Sequence, residues 1–286
     1  GKSHEGRDIW VATVTNTATG VAADKPAFWV DGNIHAAELT ASTAVLYFLH
    51  QLCSGYGAPT EEGRQITQLL DTRTIYLCPR LNPDGAELAL ADRPRHIRSS
   101  TRRYPFDEDP VEGLTMEDVD GDGRILSMRI PDPHGAYKKC EQDPRLMVAR
   151  EPGEFGGEYY RLMPEGTLKN WDGLTVKVNK DVEGLDLNRN FPAFWRQEFE
   201  QVGAGPYPTS EPEVRAMVDF VVAHPNIGAG ISYHTHSGVI LRPMGTQSDD
   251  DMTPEDLWTY KRFSELGEKL TGYPAISTFH DFKYHP

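Results

Sequence analysis

The run His35-Ala36-Ala37-Glu38 places an imidazole and a carboxylate three residues apart, directly after the apolar stretch Phe28-Trp29-Val30 and the short turn Asp31-Gly32-Asn33. Held where a strand hands over to a helix, both side chains can point at one ion, so a metal site is the first chemistry to test. Such a pair needs a third ligand. His234 emerges at the end of the strand-like run Ile227 to Tyr233, and His236 follows two residues on, on the same face of an extended chain. Two histidines and one glutamate leave the fourth position of a tetrahedral zinc ion open, the arrangement of catalytic rather than structural zinc. Open α/β sheets put such sites at the carboxyl ends of their strands.

A second metal-like feature is Asp118-Val119-Asp120-Gly121-Asp122-Gly123-Arg124-Ile125. Aspartates at alternate positions followed by glycine reproduce the front of a calcium loop, in which Asp118, Asp120, Asp122 and the residue at Arg124 supply oxygens. The bidentate glutamate expected at the twelfth position is absent, because Arg129 stands there. Bound calcium and a solvated acidic turn are both open readings.

The elements that must position these residues follow from pattern. Asp8 to Val14, Ala27 to Val30, Thr74 to Cys78 and Ile227 to Tyr233 are rich in β-branched and aromatic residues and predict strands. Leu39 to Leu52, Thr60 to Leu70, Val214 to Ala223 and a stretch from Thr253 to about Leu270 predict helices, the third opened by a Ser210-x-x-Glu213 capping box. Strands alternating with helices indicate an α/β fold with helices on the faces of a sheet. Residues 99–183, rich in Pro, Gly, Asp, Glu and Arg, read as a long ordered insertion within one domain spanning 1–286.

A net charge of −14 and a pI near 5.1 oppose binding to nucleic acid or to an anionic membrane surface. No apolar run is long enough to span a bilayer. The three cysteines, Cys53, Cys78 and Cys140, lack metal or disulfide spacing and read as buried thiols.

Several further segments appear in order: Gly1-Lys2-Ser3-His4-Glu5-Gly6-Arg7, the His-x-x-Glu, Asn82-Pro83-Asp84-Gly85, Asp186-Leu187-Asn188-Arg189-Asn190, and the strand carrying His234. Together they resemble the zinc metallocarboxypeptidases of the carboxypeptidase A type, over nearly the whole chain outside the insertion. The resemblance implies a three-layer α/β/α sandwich around a mixed, mostly parallel sheet, and a single catalytic zinc ion. It implies His35, Glu38 and His234 as the ligands, with His236 as a residue of the substrate pocket. By the same resemblance Asp186 orients the first histidine, and Arg98 stabilises the oxyanion, a role for which Arg95 and Arg102 compete. Asn188 and Arg189 grip the free carboxylate of a peptide substrate.

Two departures stand out. Ala37 occupies the place of a substrate-binding arginine, and no glutamate after His234 lies where the general base is expected, so that base is expected beyond residue 286, the segment being read as truncated. Two other activities share the scaffold: zinc amidohydrolysis of N-acyl amino acids or cell-wall peptides, and capture of C-termini by a non-catalytic pseudoenzyme. Compartment stays open, with an extracellular or periplasmic setting favoured over the cytoplasm.

Overall fold

The computed structural model describes residues 1–92, 94–105 and 108–282. In chain order these hold β1 (Ala12–Val14), β2 (Ala27–Gly32), α1 (Leu39–Gly55), α2 (Glu61–Thr72), β3 (Thr74–Cys78) and α3 (Pro83–Leu90). Then come β4 (Gly113–Met116), β5 (Ser127–Pro131), β6 (Tyr137–Lys139), β7 (Met147–Ala149), β8 (Tyr160–Pro164) and β9 (Gly166–Lys169). The last group is α4 (Pro212–Ala223), β10 (Ile227–Tyr233), β11 (Ile240–Arg242), α5 (Pro254–Thr271) and β12 (Ala275–Ser277).

The central sheet has the order β1-β3-β2-β10, with β2 parallel to both neighbours and only β1 antiparallel. Alternation along β2 and β3 sends successive side chains to opposite faces. Trp29, Tyr76 and Cys78 pack with Ile9 and with Val214, Met217 and Phe220 of α4, while Val30, Ile75 and Leu77 pack with Val45 and Leu52 of α1 and Leu70 of α2. The fold is therefore α/β with helices covering both faces of a mixed, mostly parallel sheet. Strands buried on both faces need near-continuous apolar sequence, which is why Ala27 to Val30 shows no polar alternation.

Thr60 caps α2 by accepting from the Gly63 amide, and Thr253 caps α5 by accepting from that of Asp256. The capping box expected at Ser210 does not form. Ser210 instead donates to Glu211 Oε1, Glu213 Oε1 takes the amide of His4, and α4 begins at Pro212. The strand expected from Asp8 is shorter, because Asp8 bridges Lys2 and leaves a ladder to β3 only over Ala12–Val14. Of the cysteines only Cys78 is buried; Cys53 faces solvent from the outer side of α1 and Cys140 is half-buried.

Within residues 99–183, β4 and β9 pair with each other, and β5-β8-β6-β7 form a separate antiparallel sheet. Parallel strands β11 and β12, joined by α5, make a further small unit. Among the described residues no helix is long and apolar enough to cross a membrane.

Candidate metal centre

Two strand ends create the site. β10 runs parallel to β2 in a register that pairs Tyr233 with Gly32, so His234 leaves its strand beside the loop that carries His35. Gly32 is required by close approach, since a Cβ there would lie 2.8 Å from the backbone of Ala41 at the start of α1. Asn33 then takes a left-handed conformation, φ 62°, which asparagine tolerates. Its Nδ2 donates to the carbonyls of His35 and Ala36 at 2.9 and 3.1 Å, closing a turn that aims His35 inward. Below, the buried Asp31 accepts from Trp29 Nε1 and from Ser232 Oγ, both at 2.7 Å, and so ties β2 to β10 near His234. Burial raises the Asp31 carboxyl above its usual range, against hydrogen bonds from Ser232 and Trp29 and the charge of His234.

Three side chains converge. His35 Nδ1 lies 3.0 Å from Glu38 Oε1, His234 Nδ1 lies 2.9 Å from Glu38 Oε2, and the two Nδ1 atoms are 3.1 Å apart. Their potential ligand atoms all lie within 4.8 Å of one another. Two imidazole lone pairs that close repel unless a proton or a cation is shared between them, so the donor set suits a metal ion. One carboxylate and two nitrogens are also the chemistry zinc prefers. Burial pulls the His35 pKa down, but the Asp186 and Glu38 carboxylates outweigh it and raise the value. Burial would raise the Glu38 carboxyl, yet hydrogen bonding to His234 and His35 and the charges of both hold it at about 2.

Behind His35, Asp186 Oδ1 is 3.3 Å from Nε2, an ion-pair contact longer than an ordinary hydrogen bond. A carboxylate there favours the Nε2–H tautomer, which turns the Nδ1 lone pair toward Glu38. The other carboxylate oxygen of Asp186 accepts from Arg98 Nε at 3.0 Å. Desolvation works against the Asp186 charge, but His35, Arg98 and Arg189 hold its carboxyl well below the usual range. The competing arginines are engaged elsewhere, Arg95 with Glu183 and Arg102 with Glu211, so of the three Arg98 is the one that joins Asp186. Asn188 and Arg189 follow in a short 3-10 turn capped by Asp186. Burial lowers the Arg189 pKa; attraction to Asp186 opposes this and repulsion from Arg98 adds to it. His236 is exposed and outside the ligand group.

Asn82 has a structural task as well, signalled in the sequence only by its place before Pro83, since an asparagine before proline is a helix N-cap signature. Its Oδ1 caps α3 through the Gly85 amide, and its Nδ2 donates to the carbonyls of Ile34 and Ser99 at 3.2 and 2.6 Å.

At the acidic loop, Asp118 and Asp120 are joined by Glu165, while Asp122 and Arg124 stay outside the group. The reason is local: Asp120 Oδ1 accepts the Asp122 amide and Asp122 Oδ1 accepts that of Arg124, so each closes its own turn. Glu165 in turn accepts the amides of Val119, Asp120 and Leu126. The loop is closed by its own hydrogen bonds, and calcium finds no support.

A family profile described as zinc carboxypeptidase matches residues 1–121 and 156–281. The unmatched stretch between them contains β5, β6 and β7. Carboxypeptidase A2 of Rattus norvegicus is 25% identical over 294 aligned residues, covering 99% of this chain and 48% of the relative. Carboxypeptidase E of Caenorhabditis elegans is 35% identical over 103 residues, 36% of this chain and 21% of the relative. The crystal structure of thrombin activatable fibrinolysis inhibitor is similar with a TM-score of 0.54 and 22% identity over 97% of this chain and 52% of that one. Carboxypeptidase A from Helicoverpa armigera gives 0.55 and 18% over 98% and 52%. At these identities the two structures speak for the fold. The chain spans about half the length of the curated relatives it matches in full.

Proposed function

Because this chain belongs to the zinc carboxypeptidase family, we propose that it acts as a zinc-dependent metallocarboxypeptidase, hydrolysing the C-terminal peptide bond of peptides or proteins. The observation that carries this reading is the convergence of His35 Nδ1, Glu38 and His234 Nδ1 at the ends of two parallel strands. Those three residues would hold the ion. The chemistry zinc supplies when bound is Lewis-acid polarisation of a carbonyl oxygen and a lowered pKa for water.

The remaining roles belong to the chain's own side chains. Asp186 fixes the His35 ring from behind and anchors Arg98. Arg98, its side chain half exposed, keeps its terminal nitrogens clear of the Nε contact and so can donate to the oxygen on which negative charge grows as the carbonyl is attacked. Arg189 and Asn188 bind the substrate's α-carboxylate, for which a planar guanidinium is suited. Ala37 brings no cation to the site, so this recognition rests on Arg189 and Asn188.

A second reading has one specific observation in its favour. Among the described residues the group of His35, Glu38 and His234 holds no carboxylate besides Glu38, and Glu255, Glu265 and Glu268 all lie exposed on α5. A chain with only these groups would bind C-termini without cleaving them. Zinc content and hydrolysis decide both questions in the full-length protein. Stoichiometric zinc, lost in His35→Ala, together with cleavage of free-carboxylate peptides but not of their amidated forms, is the expected outcome. Equal cleavage of amidated peptides would overturn the carboxypeptidase reading, and tight peptide binding without turnover would select the second.

A further inference from the structure

Besides the end of β10 that carries His234, three segments from distant parts of the chain bear site residues, and no ladder of the central sheet joins these three. One carries His35, one carries Arg98, and one carries Asp186, Asn188 and Arg189. A single fully buried side chain, Ser99, bonds across all three. Its hydroxyl donates to the Ile34 carbonyl at 2.8 Å and accepts the Leu187 amide at 3.1 Å. Its own carbonyl accepts Asn82 Nδ2 at 2.6 Å, and Asn82 Nδ2 also reaches the Ile34 carbonyl.

Each of these bonds ends one residue from a site side chain. Ile34 precedes His35, Arg98 precedes Ser99, and Leu187 lies between Asp186 and Asn188. Two backbone bonds flank the hydroxyl and continue the same seam, from the Ala36 amide to the Arg98 carbonyl at 3.2 Å and from the Ser100 amide to the Leu185 carbonyl at 3.3 Å. A hydroxyl suits this position because it is a short group that donates and accepts at once. Alanine would leave a buried amide and weaken the hold on a buried carbonyl, freeing the three loops to shift relative to one another.

Resting on the metal-site reading above, we propose that Ser99 is a positioning residue that sets the register of the zinc-ligand loop against the Arg98 and Asp186 loops. Its contribution then exceeds stability. It fixes the distance from Asp186 to His35, and through it the direction of the ligand nitrogen.

The test compares the full chain with Ser99→Ala, with Ser99→Cys, which keeps the side chain's size and a weak donor, and with Val45→Ala. Val45, on α1, is buried against Val30 and Leu77 of the sheet in the other core cluster and serves as a stability control. Zinc affinity is measured by competition with a chromogenic chelator, the visible spectrum of the cobalt-substituted protein reports ligand geometry, and thermal melting reports stability. Ser99→Ala is expected to weaken zinc binding by roughly tenfold or more and to alter the cobalt spectrum. Ser99→Cys should fall between it and the unmodified chain. Val45→Ala should lower the melting temperature while leaving both metal readouts unchanged. Native affinity and spectrum in both Ser99 variants, or an equal loss of affinity in Val45→Ala, would overturn the role of Ser99 alone. Failure of the unmodified chain to take up zinc would overturn the metal-site reading and this proposal with it.

Discussion

Asp186 backs His35: its Oδ1 lies 3.3 Å from Nε2, on the ring edge opposite the nitrogen that faces Glu38 and His234. The same carboxylate holds Arg98, so one buried side chain serves both the candidate ligand and the candidate oxyanion donor. Asp186→Asn keeps the shape and removes the charge. Zinc affinity should fall roughly 10–100-fold, as is usual when the partner behind a ligand histidine is lost. A chelator competition giving the native dissociation constant would show that Asp186 does not support the ligand.

Gly85 tests how tightly the loops around the site are packed. A Cβ there would stand 2.6 Å from Asn82 Nδ2, 2.7 Å from Ala36 Cβ and 2.8 Å from the Ser99 carbonyl. Two of these belong to the segments that flank His35 and Arg98, and neither is the end of a flexible side chain. Gly85→Ala should cost about 1–3 kcal/mol of stability through overpacking, despite alanine's better helix propensity. Urea denaturation checks this, and a variant as stable as the parent would mean that the neighbours give way freely.

Short-range features were legible from the residues alone. The strand, the Gly32-Asn33 turn and the His-x-x-Glu lie within a dozen residues, and their chemistry is local. The choice of His234 over His236 was not, because it depends on a parallel register between β2 and β10, some 200 residues apart in sequence. Family resemblance supplied it. The choice of Arg98 among three arginines depends likewise on Glu183 and Glu211, which occupy Arg95 and Arg102 from remote segments. Glu165, which joins the acidic loop, was invisible for the same reason. The capping box at Ser210 had the right local pattern and failed because Glu213 found a tertiary partner, the amide of His4.

That partner makes Glu213 a pH-sensitive position. Its side chain is buried, Oε1 accepts from the His4 amide, and Oε2 has no hydrogen-bond partner among the described residues. Burial raises its carboxyl pKa, the His4 amide opposes the rise, and the charges of Asp84 and Glu211 add to it. With the folded value above the unfolded one, the native state binds more protons than the unfolded chain between the two values. The stability this group contributes is therefore present below the ordinary glutamate range and is lost as pH rises through the folded value. Glu213→Gln removes the charge that must be buried at high pH. Relative to the parent, it should melt at a higher temperature at about pH 8 and gain little at about pH 4, the latter below the usual glutamate pKa. An identical difference at both pH values would show that Glu213 titrates normally.

A substitution at Arg189 tests whether substrate recognition can be separated from metal binding. Its Nη1 donates to the Asn188 carbonyl, which fixes the guanidinium beside Asp186 without making it a ligand of the His35, Glu38, His234 group. If it grips a substrate carboxylate, Arg189→Ala removes a charge-assisted contact of about 1.5–3 kcal/mol. In the full-length protein that loss should appear as a KM raised roughly tenfold or more for peptides with a free C-terminus, with zinc content unchanged. Lysine at this position should recover only part of the affinity, since an ammonium keeps the charge but not the planar pair of donors. The amidated peptide supplies the complementary measurement. It already lacks the carboxylate, so Arg189→Ala should alter its binding little. An equal penalty for both peptides would place Arg189 in the framework of the site and not in contact with the substrate terminus.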